Sequence, residues 1–266
     1  MFVGLPQRIV CLTEETVETL YLLGEQDRIA GISGYVVRPP QARREKPRVS
    51  AFTSANIEKI LELNPDLVLA FSDLQADIAA ELIRRGCQVH AFNHRDVAGI
   101  LAMIETVGRL VGAGERAEAL AERLAHRIEH IRQAAAARQS RPRVFFEEWD
   151  EPLISTIRWV SELVEIAGGH DVFTDRSRGK LATERIVQAD EVVARAPDII
   201  IGSWCGKRFA ADRVRARPGF ADIPAVRTGH LYEIKSAIIL QPGPAALTDG
   251  LDALSRIISS WQPSPA

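Results

Sequence analysis

A chain of 266 residues with 46% hydrophobic and 6% aromatic content can bury a substantial core, in one large domain or in two lobes, which excludes a disordered chain. A formal net charge of −2, with Lys and Arg scattered rather than gathered into an aromatic-interleaved stripe, supplies no drive toward nucleic acid and points to a small-molecule partner. No apolar run approaches the ~20 residues needed to span a bilayer, so no membrane-embedded segment is expected.

Short β-branched runs alternate with longer helical patterns, which predicts parallel strands joined by crossover helices. The first strand is expected over Arg8–Leu12, followed by a helix over Glu14–Gly24, a strand over Arg28–Ile32 and a helix over Asn56–Leu63. Asp66–Ala70 reads as a third strand, Leu74–Arg85 as a helix ending at Gly86, and Gln88–Phe92 as a fourth strand. Tyr35–Ser54, with three prolines and a cluster of basic residues, reads as loop. The stretch Glu115–Gln139 is Ala-rich and free of Gly and Pro, with Leu120, Leu124, Ile128 and Ile131 at helical spacing. At 1.5 Å per residue it makes a helix of roughly 37 Å, longer than either half needs internally, and its expected use is as a strut.

After Ser140 the alternation restarts, with a strand over Arg143–Glu147, a helix over Ile157–Ala167 closed by Gly168-Gly169, a helix over Asp190–Arg195 and a strand over Asp198–Gly202. The two halves rhyme. The run from Glu58 through Pro65-Asp66 to Ala70 lies over the run from Asp190 through Pro197-Asp198 to Gly202, with an acid seven positions before each Pro-Asp. The expected class is therefore α/β: two Rossmann-like parallel-sheet lobes, residues 1–112 and 141–266, joined by one long helix within 113–140.

In parallel α/β sheets ligands sit beyond the carboxyl ends of the strands. The candidates are Thr13, Glu14 and Glu15 after the first strand, Tyr35 after the second, Phe71, Ser72 and Asp73 after the third, Glu148, Trp149 and Asp150 after RVFFE, and Ser203, Trp204, Cys205 and Lys207 after DIIIG. Trp149 and Trp204 are expected in loops as walls of the site, whereas Trp159, on the apolar face of a helix with Leu163 and Ile166, is expected in the core and Trp261 in packing. Glu147 and Glu148 cannot both face inward if strand alternation persists, so one of them is structural. Glu14, Glu15 and Glu148 form either a solvated rim or a lining that favours cationic or amide donors over an anionic ferric siderophore.

Gly202-Ser203-Trp204-Cys205-Gly206 fails as a nucleophile elbow because Trp stands where G-x-S-x-G needs Ser. Cys205 as a thiol nucleophile would need a His and an orienting acid that nothing in the sequence places beside it, so no enzyme and no catalytic residue is expected. No GxGxxG or GxxxxGK[ST] occurs, the six histidines lack HxH and HExxH spacing, and Cys11, Cys87 and Cys205 form no CxxC pair. They read as buried thiols, with no metal site.

The pattern resembles the class III periplasmic solute-binding proteins of ABC importers, and among them the vitamin B12-binding proteins. The carriers are RIVCLTEETVETLYLLG, GISGYVVRPP, NIEKILELNPDLVLAF, the long helix, the Gly168-Gly169 turn and DEVVARAPDIIIGSW, in this order and spacing. The resemblance implies a non-catalytic monomer that closes two lobes over a corrinoid, needing no cofactor of its own, with haem, a ferric siderophore or another metal chelate as the alternative cargo. It puts an aromatic wall at Phe71 and a loop aromatic at Tyr35, and implies docking to an ABC permease through Glu58 and Asp190. The N-terminal MFVGLPQRIVCL lacks the cationic region, apolar stretch and cleavage site of a secretion signal. The chain as written is thus expected in the cytoplasm, as a sensor or carrier if no importer is paired with it. A trimmed or misassigned start would instead place it in the periplasm.

Overall fold

The computed structural model describes residues 4–263; the stretch read for a secretion signal begins with residues 1–3, which lie outside the described residues. The chain divides into two compact units, one comprising the residues up to His94 with Ala98–Leu124, the other Arg95–Val97 with the residues from Ala125 onward.

Unit 1 is a parallel sheet of β1 (Ile9–Cys11), β2 (Ile29–Ser33), β3 (Arg48–Ser50), β4 (Leu67–Phe71) and β5 (Val89–Phe92), in the order β3-β2-β1-β4-β5. Every residue of β1 and β4 is buried, as befits unbroken apolar strands covered on both faces. Val10, Leu12, Val68 and Ala70 pack with Val49, Ile60 and Leu82, and each large aliphatic side chain so buried stabilises by about 1.5–3 kcal/mol. The helices are Glu14–Leu22, Ile57–Glu62, Ala76–Arg84 and Val97–Leu110, the last in a stretch to which the sequence reading assigns no element. Asn56 caps its helix by accepting from Lys59 N at 3.0 Å. The expected Tyr35–Ser54 loop instead holds a short helix, Ala42–Glu45, and the edge strand β3, because Val49 finds a place in the apolar cluster.

Unit 2 contains β6 (Arg143–Asp150), β7 (Leu153–Ser155), β8 (His170–Asp171), β9 (Ile199–Gly202) and β10 (Leu231–Glu233), in the order β10-β9-β6-β7, with β8 paired to the start of β6. β9 and β10 run parallel to β6, and β7 folds back antiparallel to it, so this sheet is mixed. The expected strand end at Glu147 is therefore corrected: β6 continues to Asp150 because β7 supplies it with partners. Phe145, Phe173, Val192, Ile200, Phe209 and Phe220 centre the core. Trp159 is buried as expected, its indole donating to Ile239 O at 2.9 Å. The long helix runs Gly114–Ala136.

The Pro-Asp rhyme has a structural cause. The Asp66 carboxylate accepts from the backbone of Gln7 (2.6 Å) and Arg8 (2.9 Å), while Asp66 N donates to Arg8 O at 3.0 Å. Asp198 repeats this on the start of β6, accepting from Arg143 N at 2.8 Å and donating to Arg143 O at 2.8 Å. Asn64 and Ala196, each two residues before its aspartate, both take φ 45°, the left-handed turn that stops the preceding helix. In each unit the aspartate thus satisfies the orphan donors of the neighbouring strand and fixes its register. No helix among the described residues is long and apolar enough to cross a membrane.

Candidate functional site

In unit 1 the strand order reverses between β1 and β4, so the connections that follow these two paired strands lead to opposite edges of the sheet, and ligands of open α/β sheets bind in the crevice beyond such a switch point. Thr13 is the N-cap residue of helix Glu14–Leu22, and its hydroxyl donates to Glu15 Oε1. Glu14 and Glu15 occupy the first turn and are almost wholly buried, so these two do not form a solvated rim. Burial, reinforced by the charge of Glu15, pushes Glu14 up to about 8, and burial pushes Glu15 up to about 7 against the hydrogen bond from Thr13. At neutral pH the Glu14 carboxyl therefore keeps its proton and can donate as well as accept. Burial also pushes the neighbouring Cys11 thiol up to about 12, too high to act as a thiolate.

Phe71 and Ser72 close the other side of the switch. Ser72 sits at φ 68°, a strained setting for a residue with a side chain, and its Oγ accepts from Leu74 N at 3.2 Å. Phe71 is buried and meets His94 edge to face at 5.2 Å. Gln75, which sequence reading passed over, ties the two strands together: its Oε1 accepts from Phe71 N (3.0 Å), and its Nε2 donates to Leu12 O (3.4 Å) and Phe52 O (2.8 Å). Tyr35 stands past the end of β2 and is 59% exposed. Glu58, at 70% side-chain exposure, pairs with Arg85 at 2.9 Å.

In unit 2 the carboxyl ends of β6 and β9 build the site. Glu147 is fully buried, gripped by both terminal nitrogens of Arg217 (2.6 and 2.8 Å) and by Trp204 Nε1 (2.8 Å). Burial pushes its carboxyl up, against the pull of the guanidinium and the indole. Trp204, expected as a loop aromatic in the wall of the site, is instead 3% exposed. It is packed in the core, edge-on to Phe209 at 5.0 Å, because its N–H finds a buried acceptor and its ring a tight partner. Gly202 admits the Phe209 ring, to which a Cβ there would come within 1.9 Å.

The pairing of β6 with β7 runs Glu147 to Ser155 and then Trp149 to Ile154, so Glu148 is the extra residue of a β-bulge. The bulge breaks strand alternation and lets Glu148 and Trp149 both line one cavity of about 480 Å³, with Pro152, Ile154, Ile186 and Cys205. Glu147 is the structural member of the glutamate pair. Cys205 is exposed, a correction to the expectation of buried thiols, and Cys87 is half-buried. Lys207 holds its ammonium 4.1 Å from the centre of the Trp149 ring while paired with the buried Asp150, which Arg213 also meets at 3.3 Å. Ser203 is buried, and no partner for its hydroxyl occurs among the described residues. Asp190 Oδ1 accepts from Glu191 N (2.9 Å) at the start of its helix.

Arg185 and Arg217 are the residues of this site that sequence reading missed. Arg185 is 2% exposed, donates to both Glu148 oxygens and reaches Ser155 O at 2.8 Å, while Ser155 Oγ donates to Arg185 O at 3.0 Å. Neither arginine carries a local signal, since their partners lie 37 and 70 positions away. No group of three or more His, Cys, Asp or Glu side chains able to hold a metal ion occurs among the described residues.

Comparison with known proteins places this geometry. The chain is 28% identical over 249 residues to a cobalamin-binding protein of Halobacterium salinarum, covering 90% of this chain and 66% of that protein, so it spans just under two thirds of that relative's length. It is 26% identical over 254 residues to a vitamin B12-binding protein of Vibrio cholerae, covering 94% of this chain and 87% of the relative. The fold matches that of a periplasmic haem-binding protein from Pseudomonas aeruginosa with a TM-score of 0.81, at 22% identity and over 98% of this chain and 96% of that one. The profile of the family described as periplasmic binding protein matches residues 9–238, and the chain belongs to that family.

Proposed function

We propose that this protein is a non-catalytic solute-binding protein that holds a corrinoid at the carboxyl ends of its strands and presents it to an ABC-type permease. The observation that carries the reading is the unit 2 cavity, about 480 Å³ with the Trp149 ring in its wall, in a chain whose relatives are named for cobalamin. Flat aromatic walls suit a large macrocycle, since an aromatic side chain buries ~150–250 Å² with few rotors to freeze. The non-catalytic assignment follows from membership in a family of binding proteins.

Titration with cyanocobalamin, cyanocobinamide and haem, followed by tryptophan emission, tests this. The expected result is saturable quenching by both corrinoids. Trp149→Ala is expected to weaken binding at least about tenfold with the fold intact, as truncation of an aromatic anchor that the ligand buries typically costs about 2 kcal/mol or more. Trp261→Ala is expected to leave affinity unchanged. Tight binding of haem with no corrinoid binding would replace the cargo by the alternative chelate.

Docking to a permease falls to Glu58 and Asp190, in the first turns of the corresponding helices Ile57–Glu62 and Ala189–Arg195. Reversing both, Glu58→Arg with Asp190→Arg, is expected to abolish uptake through the cognate permease while ligand affinity stays at the wild-type value. Undiminished uptake would remove these residues from the docking surface.

A further inference from the structure

The unit 2 cavity carries an inference about selectivity, which rests on the corrinoid reading above. We propose that this cavity is a carboxamide-selecting subsite, in which Glu148, locked by the buried Arg185, accepts the N–H groups of a primary amide on the ligand rim and turns away the corresponding carboxylate.

Three features converge on it. The bulge in β6 aims Glu148 into the cavity beside Trp149, where strict alternation would have turned one of them away. The carboxylate is then immobilised. Both terminal nitrogens of Arg185 reach it, and Arg185 is itself held by Ser155 O and returned a hydrogen bond by Ser155 Oγ. Each carboxylate oxygen has a second acceptor site beyond the one the arginine uses, so two N–H groups of an amide can be met without new ordering of the protein. The surroundings, finally, are apolar: Pro152, Ile154 and Ile186 form walls against which polar contacts strengthen and mismatches become costly.

The discrimination follows from the direction of the donors. Arg185 is 2% exposed, its Nη1 and Nη2 donate to Glu148 and Ser155, and its Nε, without a partner among the described residues, is buried, so the guanidinium does not present its donors to an incoming anion. A ligand carboxylate in this place would set acceptor against acceptor, since neither it nor Glu148 has an N–H or O–H to give the other. A neutral amide meets no such obstacle. The cavity is thereby fitted to a chelate whose rim ends in primary amides, and against one whose rim ends in carboxylates, as haem does with its propionates.

The test compares two forms of one ring: dicyanocobinamide, whose periphery carries amides, and dicyanocobyrinic acid, in which those amides are carboxylates. Wild-type protein is expected to bind the amide form at least about tenfold more tightly, the scale set by unmet buried acceptors. Glu148→Gln, whose side-chain amide can donate to a carboxylate, is expected to shrink that ratio at least about tenfold. Because that substitution leaves Arg185 with a weaker buried partner, a second variant removes the pair together: Glu148→Leu with Arg185→Met is expected to melt near the wild-type temperature and to lose the preference as well. Protection of Cys205 from N-ethylmaleimide, read by peptide mass, locates the ligand, since this thiol lies in the cavity lining. Saturating dicyanocobinamide is expected to slow its alkylation at least about tenfold by burying it. A selectivity ratio unchanged in both variants, or alkylation at the free-protein rate, would overturn the subsite while corrinoid binding stands. Binding of neither ring form to wild-type protein would overturn the corrinoid reading itself, and this subsite with it.

Discussion

Replacing Arg217 with methionine is expected to destabilise unit 2 by about 3–5 kcal/mol, the usual cost of stranding one partner of a buried ion pair. Glu147 has no exposed surface, and Arg217 is 15% exposed, so water cannot take the guanidinium's place. The same carboxylate accepts from Trp204 Nε1, and Trp204 packs on Phe209 over Gly202, so the lesion extends into the apolar core. The double variant Glu147→Gln with Arg217→Met is expected to recover most of the loss, because a neutral amide needs no counter-ion and its carbonyl oxygen still serves the indole. All four tryptophans lie in unit 2, so urea unfolding followed by tryptophan emission reports that unit by itself. A loss below about 1 kcal/mol in Arg217→Met would mean that solvent reaches Glu147 freely and that the pair is worth no more than a surface salt bridge.

The elements that sequence reading recovers are those whose signal is local. β1, β4 and β9 are unbroken apolar runs because both faces of a parallel sheet are covered, and the helix stops at Asn64 and Ala196 lie next to the Pro-Asp pairs that made the two halves rhyme. The strand-end rule brought Glu148, Trp149 and Cys205 to one cavity. What it could not supply depends on pairings made far along the chain. The extension of β6 to Asp150 exists only because Leu153–Ser155 folds back on it, and the bulge at Glu148 is a property of that pairing rather than of the residue. Trp204 reads as a loop aromatic until Glu147, 57 positions earlier, accepts from its indole. Arg185 and Arg217 sit in stretches whose charge density reads as solvated surface, and only the fold shows each turned inward onto a glutamate of β6. Polar residues that work in pairs leave half their signal elsewhere.

Unit 1 is expected to lose several kcal/mol of stability as pH rises from about 5 to about 8, at roughly 1.4 kcal/mol per pH unit for each buried carboxyl still holding its proton. The groups are Glu14, pushed up to about 8, and Glu15, pushed up to about 7, both chiefly by burial. The unfolded chain gives up these protons near the ordinary glutamate value of 4.5, whereas the folded chain keeps them. Between those points the unfolded state binds fewer protons than the native one, so stability falls with rising pH, and it levels off above about 8, where both states are ionised. The direction is opposite to that of a salt-bridged glutamate, whose contribution vanishes on acidification. Of the ionisable neighbours, Glu18 adds to the repulsion on Glu14 while Arg43 and the backbone at Val37 oppose it, and Thr13 restrains Glu15. Urea unfolding at pH 5 and pH 8, followed by far-ultraviolet circular dichroism with tryptophan emission separating out unit 2, measures the effect. The variant Glu14→Gln with Glu15→Gln keeps the shape of both side chains but cannot ionise, and is expected to flatten the dependence of unit 1 across this window. A slope as steep in that variant as in the wild type would show that the two carboxyls are solvated and carry ordinary charges at the start of their helix.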